Sequence, residues 1–278
     1  MKRFFVFLAI FAFSAYVYAA DQPISFGPYD SGWYPDNTYG VYMTGVRKAS
    51  PAVDMNMGLF ILSTVQTVFE VPVHAHIMLA AADLRVEGVG KTSGTRDMQF
   101  ALMPRLFHWE GGHVNIRVAV EAPTGSYDKN SYLNIGSNRW GFSPSLALAQ
   151  DAGRFHFELW GGYDFYTNNK DFLYYATETD LEKDGNFYAE IHATFKIEDE
   201  GESTVTLSLG GIWGGEENAE ISGATHRIRD KMADYACKAT LKTNITNTFF
   251  ISVMYTYDLH TENGEKGYSI ATKLAKIF

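Results

Sequence analysis

His74 and His76, in the run PVHAH, are the two residues whose types and spacing come nearest to a metal site. Side chains two positions apart on a strand share a face, so both imidazole rings could reach one ion. No acidic or cysteine side chain stands at a suitable spacing to complete the ligand set. We therefore predict no metal ion, and we interpret the pair as hydrogen-bonded histidines on one face of a strand.

Other stretches resemble catalytic or ligand-binding motifs only superficially. A serine hydrolase needs a serine, a histidine and an orienting polar residue, and the sequence places no such trio together, although one assembled from separate strands would escape this search. The run EDEGE at 198–202 lacks the spacing of a calcium loop. GVGKTSG, at 88–94, lacks both the Walker spacing and a following helix. We therefore predict no catalytic residues, no enzyme activity and no cofactor.

About twelve strand-like segments make up the chain, and long helical periodicity is absent. Several segments alternate between apolar and polar residues with period two, the pattern of a strand whose faces meet different surroundings. In GRFHFELWGGYDFY, for example, Phe155, Phe157 and Leu159 alternate with His156 and Glu158. Most segments are about ten or more residues long, near the ~9–11 that a tilted membrane strand needs. The segments span 39–48, 55–65, 68–83, 96–107, 112–124, 138–149, 153–166, 184–197, 202–214, 233–243, 247–258 and 266–278.

The lengths of the connections alternate along the chain. The runs EGGH, QDAG, EDEGE and NITN are short, and each follows an even-numbered segment. Connections after odd-numbered segments are often long, as at 90–97, 124–138, 167–185 and 214–232. Bacterial outer-membrane barrels pair short periplasmic turns with longer extracellular loops. We therefore predict an all-β chain that forms a transmembrane antiparallel up-and-down β-barrel of about twelve strands, with the apolar face toward lipid.

The composition and the chain ends agree with this fold. A net charge of −9 argues against nucleic acid as a partner, and a mean hydropathy of −0.15 is not that of a helical membrane protein. Residues 1–20 have the basic start, apolar body and small final residues of a signal peptide, which leaves 21–278 as one barrel domain. The last strand ends on Phe278 and resembles the C-terminal signal of outer-membrane barrels, so we expect the barrel-insertion machinery as a partner.

In this orientation the polar face of each strand lines the barrel interior. Both signs of charge are present there, so the residues do not indicate strong ion selectivity. Eight strands leave an interior just filled by side chains and sixteen leave an aqueous channel, so we predict a narrow pore. The residues that we predict along a solute path are Arg117, Glu121, Arg154, His156, Glu158, Trp160, Asp164, Glu190, His192 and Lys238. The other residues predicted to point inward are Glu70, His74, His76, Arg105, Asn115, Lys196, Lys242 and Lys273.

The run VEAPTGSYDKNSYLNIGSNRWGFSPSLALA, followed by ELWGGYDFYTNN, resembles the transporter family named after the meta-pathway of phenol degradation. The resemblance implies an outer-membrane β-barrel proposed to admit small, often aromatic or hydrophobic molecules, and it implies no catalytic residues. From the residues themselves, the prolines and glycines are structural, because they end strands and open loops. The similarity rests on Pro123, Thr124, Gly125, Tyr127, Asp128, Asn134, Gly136, Asn138, Trp140, Pro144, Ser145, Leu146, Gly162, Tyr163 and Asn168.

Three classes of function stay open at this point. The first is a channel for small, hydrophobic or aromatic compounds, and we predict this one. The second is a structural or surface-interaction barrel that acts through its loops without transport, and the third is a barrel enzyme. The predicted channel resides as a monomer in the outer membrane of a Gram-negative bacterium. Its partners are outer-membrane lipid and a small-molecule solute.

Overall fold

The computed structural model describes residues 39–50, 53–131, 133–174, 177–198, 203–221, 224–262 and 266–278. These residues form seventeen β-strands and no helix. The predicted signal peptide, residues 1–20, lies outside the described residues. The strands are β1 (Tyr39–Ser50), β2 (Val53–Val68), β3 (Val71–Val86), β4 (Gly90–Thr95), β5 (Met98–Trp109), β6 (Gly112–Ala122), β7 (Gly141–Ala152), β8 (Phe155–Tyr166), β9 (Asn169–Tyr174), β10 (Thr177–Lys183), β11 (Asn186–Lys196), β12 (Ser203–Gly214), β13 (Glu217–Ile221), β14 (Ala224–Arg229), β15 (Met232–Thr246), β16 (Phe249–Glu262) and β17 (Lys266–Ile277).

Twelve of these strands close into one antiparallel barrel in chain order: β1, β2, β3, β5, β6, β7, β8, β11, β12, β15, β16 and β17. The first strand pairs with the last, from Tyr39 opposite Ile277 to Ser50 opposite Lys266. Closure leaves the barrel sheet with no free edge, which is what a sheet in lipid requires. The predicted up-and-down barrel of about twelve strands is confirmed. No helix in the described part of the chain is long and apolar enough to cross a membrane.

The two ends of the barrel differ in the length of their connections. At one end, which we call the turn end, all described links between strands are short. At the other, the loop end, four connections are long, as the sequence predicts. Links at the turn end span 69–70, 110–111, 153–154, 197–202 and 247–248, and the long links at the loop end span 87–97, 123–140, 167–185 and 215–231.

The long connections, predicted as loops, contain five further strands among the described residues. β4 pairs with the part of β3 nearest the loop end. β9, β10, β13 and β14 form a separate four-stranded sheet, which we call the loop-end sheet. In β4 and β10, with sequences GKTSGT and TETDLEK, polar residues occupy both faces, so these strands lack the alternation that marks the barrel strands.

Side-chain exposure identifies which face of the barrel sheet meets the surroundings. Phe155, Phe157 and Leu159 are 46%, 42% and 52% exposed, whereas His156 and Glu158 are 8% and 1% exposed. Because the wall of a closed barrel is one sheet thick, the buried set lies inside and the exposed set outside. The outer surface is therefore apolar and suited to lipid, as the sequence analysis predicts.

An aromatic row follows the outer surface near the loop end. The rings of Phe187 and Trp213 are 5.6 Å apart, and those of Trp213 and Tyr235 are 5.5 Å apart. Trp213 Nε1 also donates a hydrogen bond of 2.9 Å to the Tyr235 hydroxyl. Tyr163 lies across from Phe187 on the neighbouring strand. Amphipathic rings in such a row match the girdle that barrels place at the membrane interface.

The difference between the ends predicts the orientation in the membrane. A membrane-impermeant maleimide applied to whole cells should label Lys170→Cys, at the loop end, and should spare Arg154→Cys, at the turn end, until the outer membrane is opened. Both positions are exposed, so shielding by the membrane is the difference that the label measures. A Cys237→Ser background removes the single native thiol. Labelling of position 154 alone in intact cells would reverse the assigned orientation.

Candidate functional site: the barrel interior

The predicted interior residues are brought together on neighbouring strands. β6, β8 and β11 carry most of them, and we call the interior side of these three strands the polar wall. Glu121, Glu190 and Lys238 are half-buried. The fully buried members of the predicted path are Arg117, His156, Glu158, Trp160, Asp164 and His192.

Two residues predicted to point inward lie instead in turns. Arg154 belongs to the turn at 153–154, is exposed, and donates a hydrogen bond of 3.3 Å to the Ile197 carbonyl. Glu70 belongs to the turn at 69–70, is exposed, and has a φ of +66°. The prediction failed at both positions because alternation holds only within a strand, and the turn redirects the side chain.

A hydrogen-bonded chain runs along the interior side of β8. Glu158 Oε2 accepts a hydrogen bond of 3.2 Å from Trp160 Nε1, and Glu158 Oε1 lies 3.1 Å from His156 Nε2. His156 Nδ1 in turn lies 2.9 Å from Asp151 Oδ1 at the turn end. Every member of the chain therefore has a polar partner, which is what burial of these groups requires.

A second network crosses from β11 to β12. His192 Nδ1 lies 2.7 Å from Ser208 Oγ, and His192 Nε2 lies 3.2 Å from Glu190 Oε2. No local sequence pattern reveals this trio, because its serine and histidine belong to separate strands that pair directly across. Serine, histidine and a carboxylate are also the residue types of a serine hydrolase.

Other charged and polar groups are buried elsewhere in the barrel interior. Arg117 Nη2 donates a hydrogen bond of 3.0 Å to Gln99 Oε1. Asp164, with no solvent exposure, lies near Ser143, Tyr166 and Arg117. His74 and His76 are also buried on the interior side of β3. Among the described residues, no three His, Cys, Asp or Glu side chains are grouped so as to hold a metal ion.

The opposite side of the interior carries a large apolar cluster, which alternation alone did not predict. β2 turns its apolar residues inward at the loop end, and its polar residues Asp54 and Asn56 point outward. This reversal could not be recognised from alternation, because alternation separates two faces without saying which is inside. We call the buried apolar cluster on this side the apolar stripe: Val41, Val53, Met55, Met57, Leu59, Ile61, Ala82, Leu84, Ile135, Phe250 and Ala275.

The apolar stripe reaches from one end of the barrel to the other. Val53 begins β2 at the loop end, and Phe250 is the second residue of β16 at the turn end. Leu59 lies between them, directly across from Met43 on β1 and Ala80 on β3. The interior thus combines the hydrogen-bonded polar wall with an apolar cluster on the facing strands.

The connection 123–140, which we call the mouth loop, joins the apolar stripe at the loop end. Its residue Ile135 is 4% exposed and packs within the stripe. Asp97 fixes the loop: its Oδ1 accepts a hydrogen bond of 2.7 Å from the Gly125 N–H. Its Oδ2 accepts two hydrogen bonds of 2.6 Å, from the N–H and the hydroxyl of Ser137. Three donors on one carboxylate are a strong local restraint.

The mouth loop contains the first part of the family resemblance, from Pro123 to Trp140, and its geometry explains several of those residues. Gly125 and Gly136 are so close that a Cβ on Gly125 would lie 2.7 Å from the Gly136 Cα. Asn134 Oδ1 accepts a hydrogen bond of 2.7 Å from the Asp128 N–H. Asn138 has a φ of +54°, a conformation that asparagine tolerates better than most residues. These residues of the motif thus shape the mouth loop.

A buried ion pair connects the mouth loop to the loop-end sheet. Arg139 Nη2 lies 3.0 Å from Glu217 Oε1 on β13, and both side chains are largely buried. Burial raises the pKa of Glu217 above its usual value, and the guanidinium of Arg139 offsets part of that rise. The mouth loop and the loop-end sheet are therefore linked at the loop end of the barrel.

Removing the Asp97 carboxylate should loosen the mouth loop and leave the barrel intact. Asp97→Ala deprives three donors of their acceptor, and each hydrogen bond to a charged group contributes about 1.5–3 kcal/mol. We expect limited proteolysis to cut within 123–140 in this variant, with unchanged heat-modified gel mobility. Asp83→Ala, at an exposed position on β3, is the matched control. A mouth loop that resists protease equally in both variants would contradict the role of Asp97.

The closed barrel, its apolar outer surface and its polar interior wall define a transmembrane β-barrel of the outer-membrane type. The chain belongs to the family described as "Putative MetA-pathway of phenol degradation", whose model matches residues 35–274. The resemblance found in the sequence is thereby confirmed. The predicted location, the outer membrane of a Gram-negative bacterium, is also confirmed. No curated protein sequence matches the chain.

Solved structures with the same fold include three outer-membrane barrels. The COG4313 outer membrane channel from Pseudomonas putida F1 is 21% identical, with a TM-score of 0.81 over 91% of this chain and 99% of that one. The β domain of the Bordetella autotransporter BrkA is 10% identical, with a TM-score of 0.52 over 87% and 99% of the two chains. The NanC porin is 10% identical, with a TM-score of 0.51 over 86% and 99%. These similarities show the fold.

Proposed function

We propose that this chain is an outer-membrane channel that admits small, hydrophobic compounds, including aromatic ones. The apolar stripe carries the proposal, because it runs between the two barrel ends within the interior. A row of methionine, leucine and isoleucine side chains offers no hydrogen bonds or charges to the ions or sugars that a water-filled pore admits. A path for apolar solutes needs such a surface, since each buried CH₂ group of a solute gains about 0.8 kcal/mol.

The polar wall complements the stripe. Within the polar wall, Glu158 is hydrogen-bonded to His156 and Trp160, and His192 contacts Ser208 and Glu190, so these groups do not require a bound ion. Sites that combine apolar walls with a few polar groups suit small organic ligands. The COG4313 channel is named a channel, and its similarity in fold supports a transport role for this chain.

A second candidate function, ester hydrolysis, has one specific observation in its favour. His192 lies within hydrogen-bonding distance of Ser208 on one side and of Glu190 on the other, the order of contacts that nucleophilic catalysis uses. The main-chain N–H groups of β11 and β12 are engaged in the antiparallel ladder, so they do not form an oxyanion hole. We therefore place transport first. A fluorophosphonate probe that labels the purified protein, and fails to label Ser208→Ala, would reverse this order.

The test of transport measures uptake of an apolar probe across an intact outer membrane. Cells that produce the chain should take up the fluorescent aromatic amine N-phenylnaphthylamine faster than matched cells without it. Uptake of N-acetylglucosamine, a polar sugar of similar mass, should stay unchanged, because it gains nothing from an apolar wall. Equal probe uptake in the two cell lines would overturn the proposal and favour a structural or surface-interaction barrel.

A further inference from the structure

Four polar side chains form one row across neighbouring strands on the interior side of the barrel. Thr204 on β12 lies directly across from Lys242 on β15, Lys242 across from Ser252 on β16, and Ser252 across from Lys273 on β17. All four are buried, with exposures of 7%, 8%, 2% and 6% in that order. We call this set the lysine row.

The lysine row places several hydrogen-bond donors close together on neighbouring strands. Neighbouring strands are roughly 4.8 Å apart, so the two lysine backbones are separated by roughly 10 Å with Ser252 between them. Each lysine has a flexible four-carbon side chain, and two ammonium groups can therefore approach the same anionic group. The Thr204 hydroxyl has no hydrogen-bond partner among the described residues, although it is more than nine-tenths buried. The hydroxyl can therefore donate a hydrogen bond to a polar group that enters the interior.

The apolar stripe ends beside the lysine row. Lys242 Nζ lies 5.1 Å from the centre of the Phe250 ring. Phe250 is a buried member of the stripe and lies near the turn end, as does Ala275 on β17. A ligand can thus rest its apolar body on Phe250 while its polar head faces the lysines and hydroxyls.

The distribution of interior charge favours an anion at this place. The interior carboxylates predicted along the path, including Glu158 and Glu190, belong to the polar wall on other strands. Asp258, the acidic residue on the interior side of β16, is paired with Arg47 through two hydrogen bonds of 3.4 and 2.5 Å, nearer the loop end. Two cations in one buried row attract an anion more strongly than either would alone.

We infer that the lysine row binds the carboxylate group of small organic acids that carry an aromatic or alkyl body. The site lies where the apolar stripe ends, near the turn end of the barrel. The inference rests on the proposed function and narrows its substrates from apolar compounds in general to organic acids with an apolar body. The ammonium groups and hydroxyls of the row bind the carboxylate, and Phe250 contacts the body.

The test compares an acid with its uncharged analogue. The protein is embedded in bilayer nanodiscs, and calorimetry measures binding of 4-phenylbutyrate and 4-phenylbutan-1-ol after subtraction of empty nanodiscs. We expect the acid to bind at least about tenfold more tightly, because it alone offers a charge to the row. Lys242→Gln/Lys273→Gln should abolish this preference, and Lys242→Arg/Lys273→Arg should keep it. The heat-dependent shift in gel mobility verifies that each variant is folded. If the double variant does not fold, the single variant Lys273→Gln is used in its place.

The matched control is Lys276→Gln. Lys276 lies on β17 at the same end of the barrel, is exposed on the outer face, and its Nζ is also 5.1 Å from an aromatic ring, that of Phe278. This variant should keep the preference for the acid. Equal affinity for acid and alcohol in the native protein would overturn the inference, and so would a preference that survives loss of both lysines. Acetate binding as tightly as phenylbutyrate would show that the apolar body contributes nothing, which also overturns it. Failure of the proposed function has a separate readout, the uptake of N-phenylnaphthylamine.

Discussion

Leu159→Arg should lower the free energy of unfolding in a lipid bilayer by about 2–4 kcal/mol, the cost of placing arginine at the middle of a membrane barrel. Leu159 is 52% exposed on the outer surface and lies near the middle of β8. Its neighbours across the sheet are Ile191 and Leu148, which are also apolar and exposed. The guanidinium would therefore meet hydrocarbon on every side. Reversible denaturation of the protein in phospholipid vesicles gives the measurement.

Substitutions at other depths in the bilayer provide the control for this prediction. Phe157→Arg, closer to the turn end, should cost less, and Phe155→Arg, at the first position of β8, should cost about 0–1 kcal/mol. All three residues face outward, so only their distance from the membrane interface differs. Equal costs at the three positions would show that the outer surface is not in contact with a bilayer.

Leu59→Glu should reduce uptake of N-phenylnaphthylamine about tenfold or more without unfolding the barrel. Leu59 lies in the middle of the apolar stripe, and a carboxylate there removes apolar contact and holds water. Contact with one leucine side chain is worth about 1.5–3 kcal/mol, and about 1.4 kcal/mol corresponds to a factor of ten. The measurement is the initial rate of fluorescence increase in cells with equal amounts of folded protein.

Two variants distinguish the loss of apolar contact in the stripe from a general effect of an added charge in the interior. Leu59→Met keeps the site apolar at nearly the same volume and should retain uptake. Thr206→Glu adds the same charge on the interior side of β12, away from the stripe, and should leave uptake close to that of the native protein. Loss of uptake in Thr206→Glu alone would mean that the solute follows the polar side instead.

The sequence predicted the barrel because lipid imposes a strict pattern on its strands. β8 illustrates this: lipid faces one side and a polar interior the other, so alternation is strong from Phe155 to Phe165. β2 breaks the same rule, since Met55 and Met57 point inward while Asp54 and Asn56 point outward near the loop end. The alternation with period two was predicted correctly in β2 as well. Only the assumption that the polar face of the strand points inward was wrong.

Contacts between distant segments could not be predicted from the sequence. The Ser208–His192 pair depends on the register of β12 against β11, which no local pattern reveals. Asp97 and Ser137 likewise meet only because β5 and the mouth loop fold to the same end. The polar strands of the loop-end sheet are stabilised by pairing with one another, and their sequences resemble ordinary loops.

The seam between β1 and β17 has a consequence for how the molecule folds. Every other neighbouring pair in the barrel follows directly along the chain or is separated by one excursion at the loop end, but this pair joins opposite ends of the described chain. The entropy of bringing ends together grows with the length between them, and pairings of this kind are slow. The β1–β17 pairing should therefore form last. Until it forms, the growing sheet exposes two unpaired edges.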